Sequence, residues 1–378
     1  MQFELSETQQ TLKKTTRQFL AAECPSPEVR RLMETDSAFD AGLWRKMADQ
    51  GWMGIIIPEE YGGFGMGLVE MAAVLEEMGR ALLPGPYFST ALLAASVINH
   101  AGSEAQKRSH LTAISKGECK ATLAFLEQSA SWRHQAVGMH ASADAAGGYV
   151  LNGRKAFVPD AGVADLVICA ARLAGELALF AVPGSSPGLA ARPTPAIDPT
   201  RKLYEVMFDS VAVPADGLLA TGARAEAAID HAFAVSIAGL VAEMVGGMQR
   251  LLEVSVEYAK TRKQFGRPIG QFQAVQHMCA DMLVMTESSR SGAYYAAWAL
   301  AEGSGDAATA VSVAKAYASD AYREVGNKAI QVHGGMGFTW ENDVHLYYRR
   351  AKGSEIAFGD ATWHRERLAE LVIDRRTA

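Results

Sequence analysis

The spacing of apolar residues changes twice along this chain, and that change restricts the possible folds more than any other feature. Up to about residue 116, apolar residues recur at helical intervals, as in Leu68, Met71 and Leu75. From about 119 to 220 short apolar or alternating runs indicate strands, and from about 225 the helical interval returns. Separate runs of helix and strand argue against a βαβ nucleotide-binding fold. The chain is therefore predicted to be α+β, with a helical domain over 1–116, an antiparallel β domain over 117–222 and a helical domain over 223–378.

Local signals place several elements within this order. Ser6 followed by Gln9 is a capping-box pattern, which predicts the start of the first helix. Asn152-Gly153, between apolar runs at 149–151 and 155–158, is the dipeptide typical of a two-residue β-hairpin turn. A long helix is predicted to end near Arg262. Four further helices are predicted at Gln273–Leu300, Ala307–Val332, Asp343–Ala351 and His364–Asp374.

Composition argues against several classes of function. The 378 residues include 36 Lys and Arg against 42 Asp and Glu, a net charge of -6, whereas nucleic-acid binding needs a basic surface. Uninterrupted apolar runs stay short of the ~18 residues that a membrane helix needs. The first ten residues carry acid where a signal peptide carries positive charge. These features predict no nucleic-acid partner, no membrane span and a cytoplasmic location.

Cysteine and histidine patterns do not indicate a metal site. The sequence has no HExxH motif and no cysteines at ligand spacing, so we predict no metal. His333 and His364 are predicted to be surface or helix-cap residues. The cysteines lie far apart, which is typical of free thiols in a reducing compartment: Cys24, Cys119, Cys169 and Cys279.

Two segments of the C-terminal part combine glycine or arginine with aromatic residues. Gly334–Phe338 follows a long helix and is either a helix C-cap or a turn whose backbone N–H groups approach a pyrophosphate. Thr261–Gln273 holds Arg262, Lys263 and Phe265 at the end of another helix. Cations there either complement the helix dipole or bind a phosphate beside a flat ring. Both interpretations stay open for each segment.

Glu243 shares one helix face with three glycines, Gly239, Gly246 and Gly247. Each glycine inside a helix costs about 1 kcal/mol relative to alanine, so three of them indicate that something approaches this face closely. One interpretation is a neighbouring helix, with Glu243 exposed. The other is a ligand, with the Glu243 carboxylate acting as a general base.

Three motifs together resemble those of the acyl-CoA dehydrogenase family. They are Pro58–Gly65, Glu257–Gln276 and Gln331–Phe338. The resemblance covers essentially the whole chain and implies a helical N-terminal domain, a middle β domain and a C-terminal four-helix bundle. It also implies FAD as cofactor, an acyl-CoA substrate and assembly into dimers or tetramers. In that family a carboxylate removes the α-proton while the β-hydrogen leaves as hydride to the flavin.

The resemblance carries six positions over intact. They correspond to family residues that bind the ADP half of FAD and typically reach across to the flavin of a neighbouring subunit. We call them the ADP-contact set: Arg262, Phe265, Gln273, Gln331, Gly334 and Gly335.

The positions that would hold the chain's own flavin ring and substrate are not retained. Leu126 replaces a flavin-facing hydroxyl of the family's Thr-Glu-Pro motif, and Pro159 replaces another in its Trp-Ile-Thr motif. The usual base, a Glu before Gly-Thr, corresponds to Phe358, which cannot abstract a proton. The base position of isovaleryl-type enzymes is Ser236, and an arginine after it that often grips CoA is Ile237. We call the two β-domain stretches, 126–132 and 157–159, the flavin-side segments.

This division indicates a partner subunit of a heteromeric, α2β2-type acyl-CoA dehydrogenase, of the kind that handles bulky substrates such as steroid side-chain thioesters. A homologous second subunit would carry flavin and base, and an electron-transferring flavoprotein would by family accept the electrons. One alternative is a self-sufficient homo-oligomer whose base has moved to Glu243 or Asp360. Glu243 lies ~10 Å beyond Ser236 along the helix, and Asp360 lies two residues after the lost base. The other alternative is a flavin-free structural relative.

Overall fold

The computed structural model describes residues 4–145 and 147–373. The helices of this part of the chain are α1 Glu7–Glu23, α2 Ser26–Met33, α3 Ala41–Asp49, α4 Leu68–Arg80, α5 Ala95–Ala101, α6 Glu104–Ser115, α7 Gly222–Thr261, α8 Gln273–Ala301, α9 Ala307–His333, α10 Val344–Ile356 and α11 Ala361–Val372. The strands are β1 Ala121–Ala124, β2 His140–Ala143, β3 Tyr149–Pro159, β4 Leu166–Leu173, β5 Glu176–Pro183, β6 Leu189–Thr194, β7 Leu203–Val213, β8 Leu218–Thr221, β9 Lys263–Gln264 and β10 Arg267–Pro268.

The predicted order of helices, then strands, then helices is confirmed. The capping box is present, since the Ser6 hydroxyl accepts from the Gln9 N–H and the Gln9 side chain binds the Ser6 N–H. The long helix ends at Thr261, one residue before the predicted Arg262. The predicted helix end at Asp374 lies outside the described residues. The three domain boundaries stay a prediction.

Contacts divide the chain into two compact units whose boundary falls inside α7, between Ser236 and Ile237. Unit 1 comprises Met1–Val29, Leu68–Leu83 and Ile237–Ala378. Unit 2 comprises Arg30–Gly67 and Pro84–Ser236.

Unit 2 contains an eight-stranded sheet in the order β6-β7-β3-β2-β4-β5-β8, with β1 paired to β4. The sheet is mainly antiparallel, as predicted, but both β1 and β2 run parallel to β4. Its core side chains include Phe180, Tyr204 and Phe208. Strand β6 was not predicted because Pro193 lies within it; β6 is an edge strand, where a missing N–H is tolerated.

The hairpin predicted at Asn152-Gly153 is wrong. Both residues lie inside the continuous strand β3, which pairs with β7 along its length. The register shifts between Leu151 and Gly153, so the dipeptide forms a bulge. The Asn152 side-chain oxygen accepts the N–H of Ser210 on β7 at 2.8 Å. Pairing with β7, about 60 residues away in the sequence, therefore determines the conformation of Asn152-Gly153, and the local sequence does not encode that pairing.

In unit 1 the glycines of α7 allow close helix packing. A Cβ on Gly246 would lie 1.7 Å from the carbonyl oxygen of Glu76 on α4, and one on Gly247 would lie 2.0 Å from the Tyr322 hydroxyl on α9. On α4 itself, a Cβ on Gly79 would lie 1.9 Å from the Glu243 carbonyl oxygen. Only glycine fits at such distances. The neighbouring-helix interpretation is therefore confirmed, although Glu243 is 7% exposed rather than a surface residue.

A buried ion network ties α1, α4 and α8 together within unit 1. The Glu76 carboxylate binds Lys13 at 2.6 Å, Arg290 at 3.1 Å and the Tyr294 hydroxyl at 2.9 Å. Burial alone would raise the pKa of Glu76, but Lys13 and Arg290 hold that pKa below its usual range. The adjacent Glu77 accepts two hydrogen bonds from the Arg17 guanidinium, through Nε and Nη2. These helices of unit 1 are thus cross-linked by charge-assisted bonds.

Helix α7 is long and apolar enough, by length and composition alone, to cross a membrane. In the structure 83% of its most apolar 18-residue window is buried inside the protein. This burial is typical of a core helix.

Candidate functional site

The end of α7 presents an aromatic side chain on a strained hairpin. Strands β9 and β10 pair antiparallel across Phe265 and Gly266, whose φ angles are 53° and 79°. Two successive positive φ angles are typical of a type I′ turn, which suits glycine but strains phenylalanine. Phe265 is also 91% exposed. A large apolar side chain that is both strained and exposed is expected where the residue has a binding role.

The hairpin folds back on the first turn of α8. The Phe265 ring meets the Phe272 ring edge-on with centroids 6.1 Å apart, and the Arg267 guanidinium lies 4.3 Å from the Phe272 centroid. Gln273 is the first residue of α8, and it is exposed, as is Arg262 before the hairpin. The N-terminal half of the ADP-contact set therefore occupies one surface loop.

The second half of the set lies where α9 ends. Gly334 is the C-cap, with φ 59° and ψ -140°, and its N–H donates to the Gln331 carbonyl. A Cβ on Gly334 or Gly335 would meet no described atom within 4 Å, so this backbone is open to an incoming group. The segment is thus a helix cap with an accessible backbone, so the cap interpretation is confirmed, and the approach of a pyrophosphate stays a prediction.

An aromatic stack joins the two halves. The Tyr258 ring on α7 stacks on the His333 ring at the end of α9, with centroids 4.4 Å apart. Burial lowers the pKa of His333, although its Nδ1–H bond to the Ala329 carbonyl at 2.8 Å opposes that shift. His333 is buried, so the surface alternative is wrong, whereas the cap alternative is confirmed because His333 ends α9 and is the N-cap of the short 3-10 helix Gly334–Phe338. Tyr258 was not predicted from the sequence, because its position in the apolar repeat of α7 does not distinguish it from the neighbouring helix residues.

A cavity of about 600 Å³ lies in unit 1 beside His333. Arg17 binds Glu77 at 2.8 Å and Arg80 binds Glu253 at 2.5 Å, while Arg250, which also lines the cavity, lies 3.9 Å from Glu253.

In unit 2 the flavin-side segments are well anchored. Buried Lys155 donates to Glu127 at 2.7 Å and to the Phe125 carbonyl at 3.1 Å. The Leu126 carbonyl accepts the Ala156 N–H at 2.8 Å, while the Leu126 side chain is buried. Phe157 has φ 53° and is 42% exposed. The segments include Ser129 and Ser131, but they have no hydroxyl at Leu126 or Pro159, the two positions where the resemblance places flavin-facing hydroxyls.

The candidate base positions have other tasks. Phe358 is buried in a turn between α10 and α11. The Asp360 carboxylate caps α11 by accepting the Trp363 N–H at 2.8 Å. The Ser236 side chain is fully buried. The structure places Glu243 at the α4–α7 contact and Asp360 at a helix cap, and the assignment of a base to either residue stays a prediction.

His364 was also predicted to be a surface or cap residue, and the structure shows it fully buried instead. Among the described residues no group of three or more His, Cys, Asp or Glu could hold a metal ion.

Family models cover nearly the whole chain. The acyl-CoA dehydrogenase N-terminal domain matches residues 6–118, the middle domain 122–211 and the C-terminal domain 227–373. The chain belongs to the acyl-CoA dehydrogenase family. Its members are oxidoreductases with FAD as cofactor, and the predicted three-part fold is confirmed.

Several relatives of this acyl-CoA dehydrogenase chain are similar over their full length. Acyl-CoA dehydrogenase IpdE2 of Mycobacterium tuberculosis is 32% identical over 92% of this chain and 92% of its own. The crystal structure of the ChsE4-ChsE5 complex from Mycobacterium tuberculosis matches with a TM-score of 0.90 and 29% identity, over 99% of each chain. A variant of the Tcur3481-Tcur3483 steroid ACAD matches with a TM-score of 0.88 and 30% identity, over 98% of this chain and 99% of that one.

The residues present fit one half of FAD better than the other. The ADP-contact set offers a guanidinium, two carboxamides and an open glycine backbone, all of them exposed. These groups suit a pyrophosphate and an adenosine. At the two positions where the resemblance places flavin-facing hydroxyls, the flavin-side segments have Leu126 and Pro159.

Proposed function

We propose that this chain is the partner subunit of a heteromeric acyl-CoA dehydrogenase, which desaturates an acyl-CoA thioester at its α and β carbons. In this proposal the ADP-contact set reaches FAD held mainly by a homologous second subunit. The observation that carries the proposal is the exposure of the whole retained set on unit 1, together with Leu126 and Pro159 at the two positions of unit 2 where the resemblance places hydroxyls.

Within the assembly, each retained group has a definite task. Arg262 neutralises phosphate charge, and Phe265 covers a flat ring with its exposed face. The carboxamides of Gln273 and Gln331 supply hydrogen bonds that fix orientation. Gly334 and Gly335 admit the ligand close to the backbone because no side chain intervenes.

The chemistry itself belongs to the other subunit. FAD supplies hydride acceptance when bound, and a carboxylate must remove the α-proton. At the usual base position this chain has Phe358, and at the alternative position it has Ser236. Neither side chain is a base at neutral pH.

The self-sufficient homo-oligomer is less well supported. Asp360 would have to leave the Trp363 N–H that it caps in order to act as a base. Glu243 lies where α7 packs tightly against α4, because a Cβ on Gly79 of α4 would be 1.9 Å from the Glu243 carbonyl oxygen. A flavin-free relative would have no reason to keep six exposed contact residues together, and this observation disfavours the third alternative.

Similar proteins support the heteromeric proposal. The ChsE4-ChsE5 structure is a complex of two named chains, and the Tcur3481-Tcur3483 structure is a steroid ACAD. We therefore expect a bulky acyl-CoA, with steroid side-chain thioesters as the first class to test. An electron-transferring flavoprotein is the proposed acceptor, and the cytoplasm is the proposed location.

The test is to purify the chain alone and after co-expression with a homologous acyl-CoA dehydrogenase chain encoded beside it, and to record visible spectra. We expect a colourless protein alone and a yellow complex that an acyl-CoA bleaches. One FAD per chain in the isolated protein, bleached by an acyl-CoA, would contradict the proposal. Failure of every co-expressed chain to bring flavin would favour the flavin-free relative.

A further inference from the structure

The turn that joins α10 to α11 has an unusual backbone. Phe358 has φ 58° and Gly359 has φ 96°, so two successive residues occupy the left-handed region. Glycine adopts this region readily, but phenylalanine does so only when its surroundings hold it there. Something other than local preference must therefore maintain the conformation at residue 358.

Two fully buried side chains bind the carbonyls of this turn. Lys315 of α9 donates from Nζ to the Gly359 carbonyl at 2.9 Å, and also to the Glu355 carbonyl at 2.9 Å and the Ser319 hydroxyl at 3.0 Å. His364 of α11 lies 3.1 Å from the Phe358 carbonyl through Nε2. Since a carbonyl only accepts, His364 Nε2 carries the hydrogen.

The charged groups that influence Lys315 and His364 are Asp360, Glu355 and Arg367. Burial lowers the pKa of Lys315 to about 7, against the opposing carboxylates of Asp360 and Glu355. Burial, with the Lys315 charge and Arg367, lowers the pKa of His364 to about 3, against Asp360 and the Phe358 carbonyl. His364 is therefore neutral at physiological pH, whereas Lys315 changes charge near it.

We propose that Lys315 and His364 are positioning residues, which hold the 357–360 turn in one conformation through the carbonyls of Phe358 and Gly359 rather than through the side chain at 358. The loss of a base at position 358 is then a change of side chain on a preserved backbone. This inference concerns the isolated turn and does not depend on the proposed heteromeric assembly.

The proposal has a consequence for pH. An ammonium group has three hydrogens for the three acceptors of Lys315, whereas a neutral amine has only two. When Lys315 releases its proton, its two remaining hydrogens serve the two carbonyls and its lone pair accepts from the Ser319 hydroxyl, but these bonds lose the strength that the charge gave them. We expect the turn to open more often above neutral pH, although the rest of unit 1 keeps its structure.

Hydrogen exchange measured by mass spectrometry on the full chain tests the proposal. In Lys315→Met, peptides covering 355–361 are expected to lose protection ~tenfold at pH 6.5, the effect of about one hydrogen bond. Phe358→Leu should leave their protection unchanged. The matched control is Lys328→Met, which removes a lysine of the same helix that binds Asp281 at 3.0 Å.

A second pair of variants distinguishes the loss of the hydrogen-bond donor at position 364 from the loss of side-chain volume there. His364→Gln keeps an N–H donor and should retain more protection at the turn than His364→Leu. Wild-type protection, corrected for intrinsic exchange, should fall between pH 6 and 9, and that pH dependence should vanish in Lys315→Met.

Unchanged protection at the turn in both Lys315→Met and His364→Leu would overturn the proposal, as would protection lost evenly over the chain. If these variants do not fold, the wild-type pH profile decides. A flat profile at 355–361 would then overturn it.

Discussion

The ADP-contact set of unit 1 and the flavin-side segments of unit 2 differ in what they offer a ligand. The first is exposed and rich in donors, and it includes a strained Phe265 with no buried role. The second has its backbone anchored by Lys155 and Glu127, with Leu126 buried and Phe157 exposed. Both regions belong to the family fold, whereas our proposal assigns contacts with FAD to the first region alone. In this proposal a family fold persists while the binding groups at one of its sites are lost.

The largest expected effect concerns the buried ion network that joins α1, α4 and α8 in unit 1, the unit that carries the ADP-contact set. Glu76→Gln leaves Lys13 and Arg290 without their buried counter-charge and should lower the free energy of unfolding by about 3 kcal/mol. Chemical denaturation measures this loss. The matched control is Glu287→Gln, since Glu287 also binds Arg290 but is exposed, and it should cost less than about 0.5 kcal/mol. Equal losses of unfolding free energy in the two variants would show that the buried network does not stabilise unit 1 more than an exposed ion pair does.

The next effect addresses the ADP-contact set directly. Arg262→Met should weaken FAD binding by the co-expressed complex by about 2 kcal/mol, or ~30-fold, because it removes a charge-assisted bond to phosphate. Equilibrium dialysis against FAD measures the change. Lys263→Met, one residue along the same exposed loop, is the control and should bind FAD normally. Identical affinities for both variants would mean that Arg262 only complements the helix dipole.

A smaller effect concerns acid stability. The unfolded chain protonates His364 below about pH 6.5, whereas the folded chain resists protonation until the pKa of about 3. The stability contributed by neutral His364 is therefore complete above pH 6.5 and is lost as pH falls toward 3. Between pH 6.5 and 5 the loss should be about 1.6 kcal/mol. Denaturation of His364→Gln over this interval should show a shallower slope, and an equal slope would contradict the assignment.

The smallest expected effect comes from a variant that would make the flavin-side segments more similar to the ADP-contact set in their ability to bind FAD. Pro159→Thr returns one hydroxyl to a flavin-side segment and should strengthen FAD binding by the isolated chain by only about 1 kcal/mol, or ~fivefold. No acyl-CoA should bleach the bound flavin, because the base is still missing. Thr194→Ser is a suitable control on the edge strand. Turnover by the Pro159→Thr chain alone would show that a base exists elsewhere.

Much of the fold followed from local patterns. Helix ends near Ser6 and Thr261 were predicted to within a residue, because caps and apolar period are properties of neighbouring residues. The Asn152-Gly153 hairpin failed for the converse reason, since a strand partner some 60 residues away decided the register. The burial of His333 and His364 was not predicted, although His333 is a cap residue as expected, because burial depends on which helices pack over a residue.

The candidate site divides in the same way. The sequence by itself determined which residues could carry chemistry, including the ADP-contact set and the missing base at Phe358, because side-chain identity limits what a position can do. Only the tertiary structure decided that Tyr258 joins the two contact segments, that Gly246 packs against α4, and that Lys315 reaches the turn at Gly359. These contacts join residues 44 to 170 positions apart, and no local period encodes such pairings.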